Sequence, residues 1–130
     1  MILQDIYAYL KQDDTLAGLL SATEKDSKIY PNIAKIMTAP PFLVYKTTTS
    51  GGARDEILSE EGVRFLITAS SYQDVIKITE RINFLLDLAD YIPSDKYFIC
   101  YAKHTGGEDY LDELGRNIRT LNFNLKFRRK

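Results

Sequence analysis

The chain has one cysteine, Cys100, and one histidine, His104. A single thiol excludes a disulfide framework within one chain and fits a reducing compartment. One thiol and one imidazole also argue against a multi-ligand His/Cys metal site. An excess of charge of one sign is missing too. Lys and Arg number 17 against 18 Asp and Glu, which leaves a net charge of -1. There is no overall electrostatic case for binding nucleic acid or a membrane surface. Long apolar runs are absent, and stretches such as Phe84–Leu86 are far too short to span a bilayer. The first residues, Met1-Ile2-Leu3-Gln4-Asp5, lack the basic start and long apolar core of a signal peptide, so none is expected. Gly51-Gly52-Ala53-Arg54 matches neither the Walker pattern nor the dinucleotide fingerprint, because the spacing is wrong and no clear helix follows.

What is present is an ordinary globular composition, 45% hydrophobic and 27% charged. The 130 residues fit a single domain spanning 1–130. A chain of this size buries roughly two thirds of the surface that its unfolded form exposes. The stretch 61–89 organises the rest. In 62–70, Val63, Phe65, Ile67 and Ala69 alternate with Arg64, Leu66, Thr68 and Ser70, the period of a strand. Then Val75, Ile78, Ile82, Leu85 and Ala89 step by three and four, one stripe along a helix. Ser70 with Gln73 fits a capping box, and Asp74 suits the positive end of the helix dipole.

The remaining segments follow the same signals. Leu3, Ile6, Tyr7 and Leu10 suit an N-terminal helix, and Asp14 is positioned to cap a second short helix, 15–20. Ile29-Tyr30-Pro31 reads as a short extended piece, since a residue before proline avoids helical angles. Phe42–Thr49 is a strand rich in aromatic and β-branched residues. In Lys96–His104, Tyr97, Ile99 and Tyr101 are expected on one side and Phe98, Cys100 and Ala102 on the other. Gly106-Gly107 opens an acidic connection, 108–113, and Leu121, Phe123, Leu125 and Phe127 mark a last, cleanly alternating strand. These elements predict an α+β fold: one mixed or mostly antiparallel sheet of about four strands, with an N-terminal helix and one long helix packed on one face. The other face mixes Asn, Lys, Arg and Thr with Tyr and Leu, and is a candidate subunit interface.

No residue constellation points to catalysis. Asp13/Asp14, Glu60/Glu61 and Asp112/Glu113 are adjacent carboxylates, which diverge in space more often than they converge for acid/base work, and read as caps or solvated surface. His104, Asp109 and Ser94 form no triad pattern, because the nucleophile-elbow motif is missing. The connection from Thr49 to Glu60 is long for a hairpin. Its Gly51, Gly52, Arg54, Asp55 and Glu56 are candidates for contact with a neighbouring subunit or partner, against the alternative of a plain flexible turn. The basic end, Lys126, Arg128, Arg129 and Lys130, is a candidate contact for an acidic partner surface or for DNA passing close by, against the alternative of a solvated strand end.

The order of the segments carries a resemblance. Ile29-Tyr30-Pro31, then Pro40-Pro41-Phe42-Leu43-Val44-Tyr45, then Ser71-Tyr72-Gln73-Asp74 entering a long helix resemble the small tail-completion, or tail-terminator, proteins of long-tailed bacteriophages. The resemblance covers nearly the whole chain, and the connection 108–115 carries no matching feature. It implies a minor tail protein that forms a ring, usually sixfold, on the end of the tail tube. That ring stops tube polymerisation and offers the head-joining surface. The implied partners are further copies of the chain, the tail tube protein and the head–tail connector proteins. DNA passes through the ring without specific binding. The implied location is the virion tail, assembled in the host bacterial cytoplasm, with no cofactor, no reaction and no membrane. A head–tail connector component of the neck is the alternative in the same class. A small cytoplasmic enzyme or ligand-binding domain is the alternative in another.

Overall fold

The alternation at Leu121–Phe127 marks the strand on which the whole sheet depends. The computed structural model describes residues 2–32, 34, 38–48, 59–89 and 91–130. Along them run α1 (Ile2–Lys11), α2 (Asp14–Leu19), β1 (Ile29–Pro31), β2 (Phe42–Thr48), β3 (Ser59–Ala69), α3 (Tyr72–Leu86), β4 (Tyr97–Gly106), β5 (Asp109–Leu111) and β6 (Asn117–Arg129). Among the described residues these strands form one six-stranded sheet in the order β1-β2-β3-β6-β4, and β5 also pairs with β6. Among these described strands only β1 and β2 run parallel, and the other pairings are antiparallel. The expectation of a mixed, mostly antiparallel sheet with helices on one face is met, and the expected strand number of about four is corrected to six. The two additions are β1, read from sequence only as an extended piece, and β5, hidden in an acidic stretch and exposed at all of its residues.

β6 lies between β3 on one side and β4 with β5 on the other. Its register with β3 runs from Ser59↔Phe127 to Ala69↔Asn117. Both β3 and β4 are antiparallel to β6, so they are parallel to each other, and α3 carries the chain across the intervening strand.

The helices cover one face. α1 contributes Ile6 and Leu10, α2 contributes Leu16, and α3 contributes Val75, Ile78 and Ile82 to a core shared with Phe65, Ile67, Phe123 and Leu125. Phe65 and Phe123 meet diagonally across the β3–β6 pair at 5.7 Å, edge to face, the geometry that the ring quadrupoles favour. Each such fully buried side chain contributes roughly 1.5–3 kcal/mol relative to exposure. On the opposite face, Tyr30, Phe42 and Val44 form a second, smaller buried cluster with Ala34 and Leu66. Much of the apolar surface expected there is therefore already covered within the chain.

Four local expectations are corrected. The strand extends over 59–69, beginning before the expected Gly62. The cap of α3 is Ser71, in extended conformation, with its hydroxyl accepting from the Asp74 N–H at 3.2 Å; the expected pairing of Ser70 with Gln73 sits one residue too early. The helix stops at Leu86, short of Ala89. There the Leu88 N–H donates to the Ala102 carbonyl at 2.8 Å, which draws the chain away towards β4. Asp13, not Asp14, caps α2, its carboxylate accepting from the Leu16 N–H at 2.8 Å.

β4 also departs from simple alternation. Its register slips between Ile99 and Tyr101, leaving Cys100 as the extra residue of a bulge. The bulge exchanges the two faces. Tyr97 and Ile99 pack on the helix-side core before it, and Ala102 does so after it. The expected grouping of Tyr101 with Tyr97 and Ile99 fails for that reason.

Candidate functional site

The two ends of β6 differ in chemistry, and each is built from identifiable residues. At its C-terminal end, the Lys126 ammonium lies 3.1 Å from the Glu60 carboxylate and 5.9 Å above the Tyr101 ring. Arg128 lies over the Phe98 ring at 4.6 Å, and Lys130 at 5.0 Å. Lys130 also donates to the Ser94 carbonyl at 2.8 Å, and Arg129 sits opposite Tyr97 in the ladder. Phe98 is exposed on the strand face opposite the core, so this end is a basic surface built around an aromatic ring. Of the other sequence candidates, Gly51, Gly52, Arg54, Asp55 and Glu56 lie outside the described residues. The strand ends that flank them, Thr48 and Ser59, are at this same basic end, since Thr48 faces Gly62 and Ser59 faces Phe127.

At the other end, β5 and the start of β6 close a hairpin where the sequence reads only as an acidic connection. Asp112 organises its turn. One carboxylate oxygen accepts from the Leu114 and Arg116 N–H groups at 2.9 and 2.8 Å, and the other accepts from the Arg116 guanidinium at 2.6 Å. Burial raises the Asp112 carboxyl, but these hydrogen bonds outweigh it and hold the group below the usual carboxylate range. Gly115 takes the left-handed conformation, φ 74°, that closes the turn. An aspartate three residues before a glycine, between extended segments, is the signal that could have revealed it.

Two further features fix the hairpin to the body. A Cβ on Gly107 would lie 1.8 Å from the Thr120 carbonyl oxygen, so only glycine lets β5 pack there. Arg119 forks onto Asp109 at 2.6 and 2.9 Å, and also donates to the Tyr72 hydroxyl at 2.8 Å and to Thr79 at 3.3 Å. The Arg119 guanidinium holds the Asp109 carboxyl below its ordinary value. Beyond these anchors, Tyr110, Leu111 and Leu114 are exposed, Leu114 by 77%.

Of the triad candidates, His104 and Asp109 line one cleft, whereas Ser94 lies at another, beside Asp5. The Ser94 hydroxyl donates to Asp5 at 2.8 Å, Asp109 is taken by Arg119, and His104 leans on the Phe123 ring with its Nε2 3.1 Å from the Gly106 carbonyl. The cleft shared by His104 and Asp109 is open, about 460 Å³, and is also lined by Thr79 and Arg119; the polar groups of these side chains bond one another or nearby backbone. The carboxylate pairs separate as well. Asp13 receives Arg81 through two bonds, 2.6 and 2.8 Å, which hold its carboxyl low, while burial raises Glu61. Among the described residues no three His, Cys, Asp or Glu side chains gather as metal ligands, and no helix is long and apolar enough to cross a membrane.

No family model and no curated protein matches this chain. Among solved structures, a chain of the virion of a native gene transfer agent particle is similar, at 13% identity and a TM-score of 0.75. The alignment covers 95% of this chain and 91% of that one. The likeness is one of fold, and it spans nearly the full length of both chains.

Proposed function

We propose that this chain is a structural subunit of a phage-like virion, and within that class a tail terminator. It caps the tail tube as a ring, sixfold as the family resemblance implies, halts tube growth and presents the surface to which the head connector docks. The observation that carries the virion role is the full-length fold likeness to a virion chain. The order of the Ile29-Tyr30-Pro31, Pro40–Tyr45 and Ser71–Asp74 motifs supports the finer assignment to the tail end. A closed ring needs two unlike surfaces on each subunit, and the basic and acidic ends of β6 are unlike. The segment with Gly51, Gly52, Arg54, Asp55 and Glu56 contacts a neighbour or the tube, and the cations of 126–130 lie away from the narrowest part of the bore, through which DNA slides without specific binding.

Deletion of the gene tests the reading. The expected result is heads and tails that fail to join, with some tails longer than normal, and joining restored by purified protein without nucleotide or metal. Unjoined particles whose tails all keep normal length would point to the neck instead. Joined particles of normal length would end the proposal.

A further inference from the structure

The long hairpin formed by β4, β5 and β6 carries opposite charge at its two ends. The tip holds Glu108, Asp109, Asp112 and Glu113 against Arg116 and Arg119, so acid is in excess. The base holds Lys96, Arg128, Arg129 and Lys130 against Asp95, so base is in excess. The thirteen residues of β6 separate the two by about 40 Å at strand rise. Each end also exposes apolar surface: Leu111 and Leu114 at the tip, by 65% and 77%, and Phe98 at the base, by 47%. A leucine pair rimmed by carboxylates and a half-exposed aromatic ring held under guanidinium and ammonium groups are complementary in both respects.

We propose that the hairpin tip of one copy seats on the basic, aromatic base of the next copy, with Leu111 and Leu114 against Phe98 and Glu113 against Arg128. This deepens the ring reading and rests on it. The occupant is a second copy because every chain carries both halves of the match in equal number, while the net charge stays at -1. A head-to-tail contact of this kind is heterologous and closes into a ring when the rotation permits. Lateral pairing along the outer edge of β4 is a poorer route, because the register slips at Ile99/Tyr101 and His104/Gly106 interrupt the row of free backbone groups.

Charge reversal tests the contact. Glu113→Lys and Arg128→Glu both change exposed side chains, so each variant keeps the wild-type circular dichroism and a cooperative melt, with Arg128→Glu melting slightly lower for the lost contact with Phe98. Native mass spectrometry, on free protein and on protein bound to the cognate tail tube, should show each single variant assembling about tenfold or more weakly than wild type. An equimolar mixture of the two should regain assembly with both variants in every ring, because the ammonium introduced by the first substitution then meets the carboxylate introduced by the second. Leu114→Asp should lose assembly without rescue by Arg128→Glu. Rings that tolerate Glu113→Lys and Leu114→Asp would overturn the tip-to-base contact and leave the terminator reading standing. Loss of tube capping by Arg128→Glu alone, with rings intact, would assign the base to the tube and also overturn it. Wild-type protein that never forms rings, even on tubes, would sink the terminator reading itself.

Discussion

The two faces of the sheet do different work. The helix-side face is one continuous apolar core, where Phe65, Phe123, Ile78 and Ile82 are each almost fully buried. The opposite face is divided. Tyr30, Phe42 and Val44 close a small cluster at one side, and elsewhere polar pairs stand in for packing: Arg64 donates to Asn122 at 3.0 Å and Lys126 meets Glu60 at 3.1 Å. Apolar burial scales with area removed from water, whereas an exposed polar pair gains little over its hydration. Stability is therefore concentrated on one face, which leaves the sequence of the other face and of the strand ends less constrained by packing.

Truncation in the main core should produce the largest effect. Phe123→Ala should cost about 3–5 kcal/mol, read as a lower denaturant midpoint at unchanged slope. Arg64→Ala on the other face should cost about 1 kcal/mol or less. Equal losses would erase the distinction between the faces. Next comes Gly107→Ala, whose methyl must push the Thr120 carbonyl away; the expected loss is on the order of 1–3 kcal/mol, with amide protection falling first in 109–119. Protection lost uniformly would mean that the hairpin is not a separable unit.

Asp13→Ala removes both a helix cap and the partner of Arg81, and should cost about 1–2 kcal/mol. Acid should weaken the same anchors. Asp13, Asp109 and Asp112 have folded pKa values below their ordinary ones, so each contributes stability that is present above about pH 4 and is lost as pH falls through the depressed value. Asp112→Asn should therefore flatten part of the acid limb of a stability-against-pH curve. An unchanged limb would remove Asp112 from the account. The smallest expected effect is the coupling between Glu60 and Lys126, about 0.2–1 kcal/mol in a double-mutant cycle and less in high salt.

Much of the fold is legible from periodicity. The strand Leu121–Phe127 and the stripe Val75, Ile78, Ile82 are readable because one buried face imposes a strict repeat, whereas Phe42–Thr48, buried on both faces over Phe42–Tyr45, is readable from its aromatic and β-branched content. Where burial does not dictate the pattern, the sequence is silent. β5 is exposed at every residue, so no apolar alternation betrays it. The Cys100 bulge shifts phase without changing composition, and no local rule flags it. The caps at Asp13 and Ser71 fall one residue away from their expected places because adjacent Asp-Asp and Ser-Ser pairs offer two equivalent side chains. For the candidate site, the basic end is visible as a run of cations, but its aromatic floor, Phe98, comes from β4 and meets it only through the sheet register. The acidic tip reads from sequence only as a connection because its cohesion depends on Arg116 and Arg119, whose pairing with Asp112 and Asp109 is set by the turn.

The central position of β6 has a consequence for synthesis. β6 follows every other described strand, yet it joins β3 to β4. Until the ribosome has released Asn117–Arg129, β3 and β4 each present an unpaired inner edge, and Phe65 has no Phe123 to pack against. Such non-local closure is slow, and open strand edges are exposed to wrong partners meanwhile. The nascent chain therefore has neither a finished core nor either end of its long hairpin until its last described strand is made.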